Sequence, residues 1–155
     1  MPSAPHHRAL EAMYQAAPIN AFYKPTMDVD DGTAVIRIDL DAKYHHAAGA
    51  VHGSVYFKML DDAAFFAANS LEDEVFVLTS SFTTYFTRPV VDGVFTARGH
   101  VVDQTRTQFV AEAVVENADG KIVGRGNGVF VRSKMKLSDQ PGYRDVLSAA
   151  AATNR

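Results

Sequence analysis

Residues 48 to 70, AGAVHGSVYFKMLDDAAFFAANS, set His52, Gly53 and two adjacent aspartates, Asp61 and Asp62, into a run of small and bulky apolar residues. Those types can do acid-base chemistry. A carboxylate takes up a proton or attacks an electrophilic carbon, an imidazole moves protons near neutral pH, and a helix start offers unpaired N–H groups to a developing negative charge. Tyr56, Leu60, Ala63, Ala64 and Ala67 recur at spacings of three and four, a helical stripe at about 100° per residue. With that stripe centred near Leu60, Asp61 falls on its shoulder beside Phe57 and Ala68. Asp62 falls nearly opposite, four residues from Lys58, where an i,i+4 charge pair suits a more solvated face. Asp61 is therefore the carboxylate expected to be partly desolvated.

A helix beginning near Gly53 presents free N–H groups, and a glycine there lets a ligand approach the backbone closely. The bland alternative is that Gly53 only eases a tight turn into the helix. His52, just before it, reads first as a cap or hydrogen-bond partner and second as a proton-transfer group. Gly53 and Asp61 are eight residues apart, about 12 Å along one helix at 1.5 Å per residue. No single carbonyl can touch both. Two antiparallel copies across a two-fold axis would face Gly53 of one to Asp61 of the other, so the spacing predicts an obligate homodimer with two composite sites, which could pair into a tetramer.

The elements that must hold these residues follow from pattern. Leu10, Met13 and Tyr14 recur at helical spacing until Pro18, predicting a short N-terminal helix that packs as a lid or cap. TMDVDDGTAVIRIDLD alternates around Asp31 and Gly32, a hairpin with Ala34, Ile36 and Ile38 on one face. Residues 41 to 52 read as a loop. After the long helix come four segments rich in Val, Phe, Thr and Tyr, with turn signals at Pro89 to Gly93, Gln104 to Arg106 and Asp119-Gly120. They predict four consecutive strands in an antiparallel meander. The tail from Leu137 carries too little apolar surface to dock firmly and reads as loose or marginally helical. The order is satisfied by an α+β fold, a six-stranded antiparallel sheet with one long helix on its concave face. The divisions expected are residues 1–25 (helix and connector), 26–134 (the main domain) and 135–155 (the tail).

At 155 residues the chain suits one domain with one core, and 47% hydrophobic with 21% charged residues is ordinary for a globular protein. A net charge of −3 with scattered Lys and Arg leaves no basic footprint for nucleic acid. The absence of cysteine excludes disulfides and thiolate chemistry. No signal-like or membrane-length apolar stretch is found, so a cytoplasmic protein with no membrane partner is expected. His45, His46 and His52 with Asp61 make a poor metal set, since consecutive histidines point to different sides of an extended chain.

These residues resemble the hotdog-fold acyl-CoA thioesterases, in particular the PaaI-like branch. That branch carries an asparagine, a glycine, His-Gly-Gly at a helix start and an aspartate nine residues after the histidine. Gly49, His52-Gly53-Ser54 and Asp61 stand in those places, and TSSFTTYFTRPVVDG resembles the strand that follows. The resemblance covers roughly residues 26 to 133 and departs at His46, where the asparagine is usual, and at Ser54, where the second glycine is usual. It implies an antiparallel sheet wrapped around the long helix, hydrolysis of an acyl-CoA thioester, and no cofactor, coenzyme A being part of the substrate. It implies Asp61 as general base or nucleophile, the Gly53 amide polarising the carbonyl, and Thr79 and His46 aligning water and substrate from across the dimer interface. His46 titrates near neutrality, which predicts a limb of activity near about 6 to 7 that His46→Asn removes. Arg88, Arg106 and Arg132 become candidates for the coenzyme A phosphates. The aromatic Phe57, Phe65, Phe66, Tyr85 and Phe86 suggest an apolar acyl pocket, or simply core. A non-catalytic acyl-CoA binding domain and a hotdog hydratase or dehydratase are the rival readings.

Overall fold

The computed structural model describes residues 3–154. The expected long helix is α3 (Gly53–Ser70), and its last eight residues, Ala63 to Ser70, are all buried. A helix apolar on so many sides must be covered, and α3 lies along the concave face of a six-stranded sheet. The strands are β1 (Thr26–Asp30), β2 (Thr33–Asp39), β3 (Val75–Phe86), β4 (Val94–Gln104), β5 (Gln108–Glu116) and β6 (Ile122–Lys136). Their order in the sheet is β1-β2-β4-β5-β6-β3, with every neighbouring pair antiparallel.

Small residues let helix and sheet meet at the backbone. A Cβ built on Gly99 of β4 would stand 2.2 Å from the Ala63 carbonyl oxygen, so only glycine admits this approach. Around it, Phe95, Phe109, Phe130, Ile36 and Leu60 are fully buried and fill the core. The hairpin of β1 and β2 has the expected inward face, Ala34, Ile36 and Ile38.

Two expectations are corrected. The four later strands do not form one meander: β4, β5 and β6 do, but β3 pairs with β6 at the far edge, from Val75 opposite Lys136 to Phe86 opposite Gly124. The place beside β4 is already filled by β2. The expected loop before α3 also contains a 3-10 turn, Ala42–Tyr44, and a bridge between His45 and Val51.

The tail is a further correction. It forms α4 (Pro141–Thr153), which packs against α1 (Ala4–Ala16). Gly142 sits so close to α1 that a Cβ would lie 2.7 Å from the Ala12 oxygen. The Tyr143 hydroxyl, buried, donates to His6 Nδ1 at 2.7 Å. Burial pushes that phenol up to about 12, so it stays a donor. His6 Nε2 in turn donates to Asn69 O at 2.9 Å and His7 Nε2 to Ser70 O at 3.3 Å, satisfying carbonyls at the end of α3. Buried polar groups repay their desolvation through such bonds, which is how a tail poor in apolar residues docks. Among the described residues no helix is long and apolar enough to cross a membrane.

Candidate active site

Asp61 stands on α3 facing β3, half-buried, and Thr79 Oγ1 donates to its Oδ1 at 2.9 Å. Burial pushes its carboxyl up to about 6, against the opposing bond from Thr79. β3 is irregular here. Its register slips just beyond Thr79, before Ser81, and Leu78 and Thr79, neighbours in sequence, both line one cavity. That cavity, about 310 Å³, lies between α1, α3 and β3, with Asp61 and Thr79 at its polar side and Phe65, Phe66, Phe76 and Leu78 among its apolar walls.

Asp62 is not the solvated carboxylate its position on the wheel suggested. Lys58 Nζ and Tyr14 Oη both donate to its Oδ2 at 2.7 Å, and its side chain is only 18% exposed. The i,i+4 pair with Lys58 is formed, but α1 covers it. Lys58 Nζ also lies 5.3 Å and 5.2 Å from the ring centroids of Tyr14 and Tyr23, so this cation is fully engaged. Burial and the neighbouring Asp62 push the Tyr14 phenol far above its ordinary value, which keeps it a donor.

Gly53 is the first residue of α3, and no acceptor among the described residues takes its N–H. His52 is the cap: its Nδ1 accepts from Ser54 N–H at 3.0 Å and lies 2.8 Å from Ser54 Oγ. Ser54, in place of the usual glycine, thus closes the cap. Gly53 opens on a second cavity, about 330 Å³, which it shares with His46, Tyr56, Phe86 and Arg88. His46 is exposed and its Nδ1 accepts from Ala48 N–H at 3.0 Å, which stiffens its own loop.

Of the expected arginines, only Arg88 shares the Gly53 cavity. Arg132 is committed elsewhere: its Nε meets Glu72 Oε2 at 2.6 Å, its Nη1 donates to the Thr105 and Arg106 carbonyls at 2.9 and 2.8 Å, and its guanidinium lies 4.4 Å over Phe109. It fastens the β4–β5 turn, which also carries Arg106. Of the aromatics, Phe65 and Phe66 line the Asp61 cavity and Phe86 the Gly53 cavity, whereas Phe57 lies edge-on to Phe82 and Tyr85 lines a separate hollow with Arg98 and Arg125. Sequence reading missed Tyr14, Ala17, Ile19 and Asn20 as lining residues of the Asp61 cavity. The helical spacing of Tyr14 marked it as inward-facing, but nothing near Ala17 or Ile19 did.

The model of the thioesterase superfamily matches residues 48–123, which span Gly53, Asp61 and Thr79. The match takes in 76 of the chain's 155 residues, and the chain has the hotdog fold. Over 112 residues it is 26% identical to a protein of Saccharolobus solfataricus whose name proposes an esterase, covering 71% of this chain and 80% of that one. Among solved structures it is similar to the E. coli PaaI protein from the phenylacetic acid degradation operon, at 23% identity and a TM-score of 0.79 over 88% of this chain and 99% of that one. It is also similar to a thioesterase family protein from Silicibacter pomeroyi, at 25% identity and a TM-score of 0.73 over 81% and 96%. The superfamily match and these relatives support thioester hydrolysis as the general reaction.

Proposed function

We propose that the protein hydrolyses acyl-CoA thioesters to the free acid and coenzyme A as a homodimer with two composite sites. The observation that carries this reading is the separation of two complementary half-sites on one helix. Asp61, with its raised carboxyl and its bond from Thr79, lies at one cavity, and the unpaired Gly53 N–H lies at another, eight residues away. That is about 12 Å at 1.5 Å per residue. Hydrolysis needs both a base or nucleophile and a donor for the carbonyl oxygen. β3 supports the dimer, since it is a 12-residue edge strand whose outer side has no partner among the described residues.

In this reading the thioester carbonyl oxygen accepts from Gly53 N–H of one subunit, and Asp61 of the other takes a proton from water or attacks the carbonyl carbon. Thr79 orients Asp61, His46 lines the approach, and Arg88 meets a phosphate of coenzyme A. His52 acts as the cap that aims the Gly53 N–H. No cofactor is called for.

Subunit mixing tests it. Gly53 is a first helical position preceded by extended backbone (His52, φ −64°, ψ 143°), where proline is tolerated, so Gly53→Pro deletes the N–H and keeps the helix. Gly53→Pro and Asp61→Asn chains are each expected to be inactive alone and active when co-expressed, because each mixed dimer then holds one intact site. No recovery on mixing would place both residues' work within one subunit and defeat the composite site.

A further inference from the structure

Of the two kinds of wall around the Asp61 cavity, α3 and β3 lie largely inside the segment matched to the superfamily, whereas Met13, Tyr14, Ala17, Ile19 and Asn20 lie before it. Resting on the reading of Asp61 as the group that meets the thioester, we infer that this N-terminal segment selects the acyl group. Ala17 and Ile19 are its specificity-determining residues, and the favoured substrate carries an uncharged, apolar acyl group of aryl or medium-chain size.

Charge excludes one class of substrate. Asp61 and Asp62 both line the cavity, and the cation there, Lys58, is paired with Asp62 and covered by two tyrosine rings. An acyl group ending in a carboxylate would meet two acidic side chains and, among the described residues, no free cation, and would lose its hydration without compensation.

Size and surface define the rest. The cavity holds about 310 Å³, roughly twice the ~150 Å³ that suffices to enclose a benzene ring. Ile19 stands at this cavity with 56% of its surface exposed, an apolar side chain on a turn that nothing among the described residues covers. Ala17, just past the end of α1, is the smallest side chain of the lining, and its backbone is extended (φ −63°, ψ 128°), so a larger residue fits there by filling the cavity rather than the core. Buried Asn20 donates from Nδ2 to Tyr14 O at 2.7 Å and so holds the connector against α1.

The test is kcat/KM for acetyl-, octanoyl-, benzoyl-, succinyl- and palmitoyl-CoA with the full-length protein, Ala17→Phe and Ile19→Ser. Wild type is expected to prefer octanoyl- or benzoyl-CoA to succinyl-CoA by about tenfold or more. Ala17→Phe should lower the octanoyl-to-acetyl ratio by about tenfold, and Ile19→Ser by several-fold, the scale of a few methylene contacts. Ala17→Leu, a smaller addition, should shift the ratio in the same direction and serves if the Phe variant does not fold. Ratios unchanged in folded variants, or a preference for succinyl-CoA, would overturn the inference while leaving hydrolysis intact. Failure of wild type to cleave any of these thioesters would instead overturn the activity, and the inference with it.

Discussion

Thr79 on β3 donates its hydroxyl hydrogen to Asp61 on α3, Oγ1 to Oδ1 2.9 Å apart, and this one bond opposes the burial that holds the carboxyl near 6. Its two partners come from elements joined only by the Leu71 to Glu74 turn, and Asn69 keeps them in register. The Asn69 Oδ1 accepts from Val77 N–H, and its Nδ2 donates to the Glu72 and Val75 carbonyls.

The rate should rise with pH through about 6, because Asp61 works only when ionised. A hydrogen bond donated to a carboxylate favours the ionised form, so Thr79→Val should move the midpoint upward and Thr79→Ser should leave it near the wild-type value. His46→Asn should leave it in place as well, contrary to the sequence expectation, since His46 is exposed and bound to its own loop. The measurement is kcat/KM against pH for the four proteins. A midpoint that disappears in His46→Asn would return the limb to the histidine.

Asp61→Asn should lower kcat by about 10²-fold or more and yet stabilise the fold at pH 8. The folded-state value of about 6 lies above the ordinary 3.8, so the folded form holds its proton more tightly. The stability this contributes is present in full below about pH 4 and is lost as pH rises through about 6. The difference corresponds to about 3 kcal/mol at most, recovered by the neutral amide at pH 8 and absent near pH 4. Chemical denaturation at the two pH values checks it, and equal stability of both proteins at pH 8 would contradict it.

Arg88 and Arg132 should separate cleanly. Arg88→Ala is expected to raise KM for acyl-CoA about tenfold with little change in folding, the effect of one exposed phosphate contact. Arg132→Ala is expected to cost about 2 to 3 kcal/mol of stability, because it strips Glu72 Oε2 and two carbonyls of their donor, while KM changes little. Steady-state kinetics and a urea melt on each variant would show the reverse pattern if Arg132 held the nucleotide.

The long helix, the hairpin and the last three strands were legible because periodicity is a local signal, whereas the bond between Thr79 and Asp61 within one chain was not, since it depends on how β3 returns against α3. The partner of β3 was not, since pairing at an edge depends on which neighbour's place is already taken. Nor was the burial of Asp62: the wheel of α3 shows which way its side chain points but not that α1 returns to cover it with Tyr14. The tail misled for a related reason. Its anchors are a glycine at close approach and a tyrosine bonded to a histidine 137 residues away, and hydrophobic content records neither.

The contact between Gly99 and Ala63 leaves α3 no slack, for backbone rests on backbone at the middle of the helix. A helix held this way cannot slide or tilt to suit a different substrate, so the span between its two half-sites is a fixed gauge. Adaptation to a new acyl group must then be carried by the parts that lean on α3 from outside, and the short N-terminal segment can be recast without disturbing the gauge.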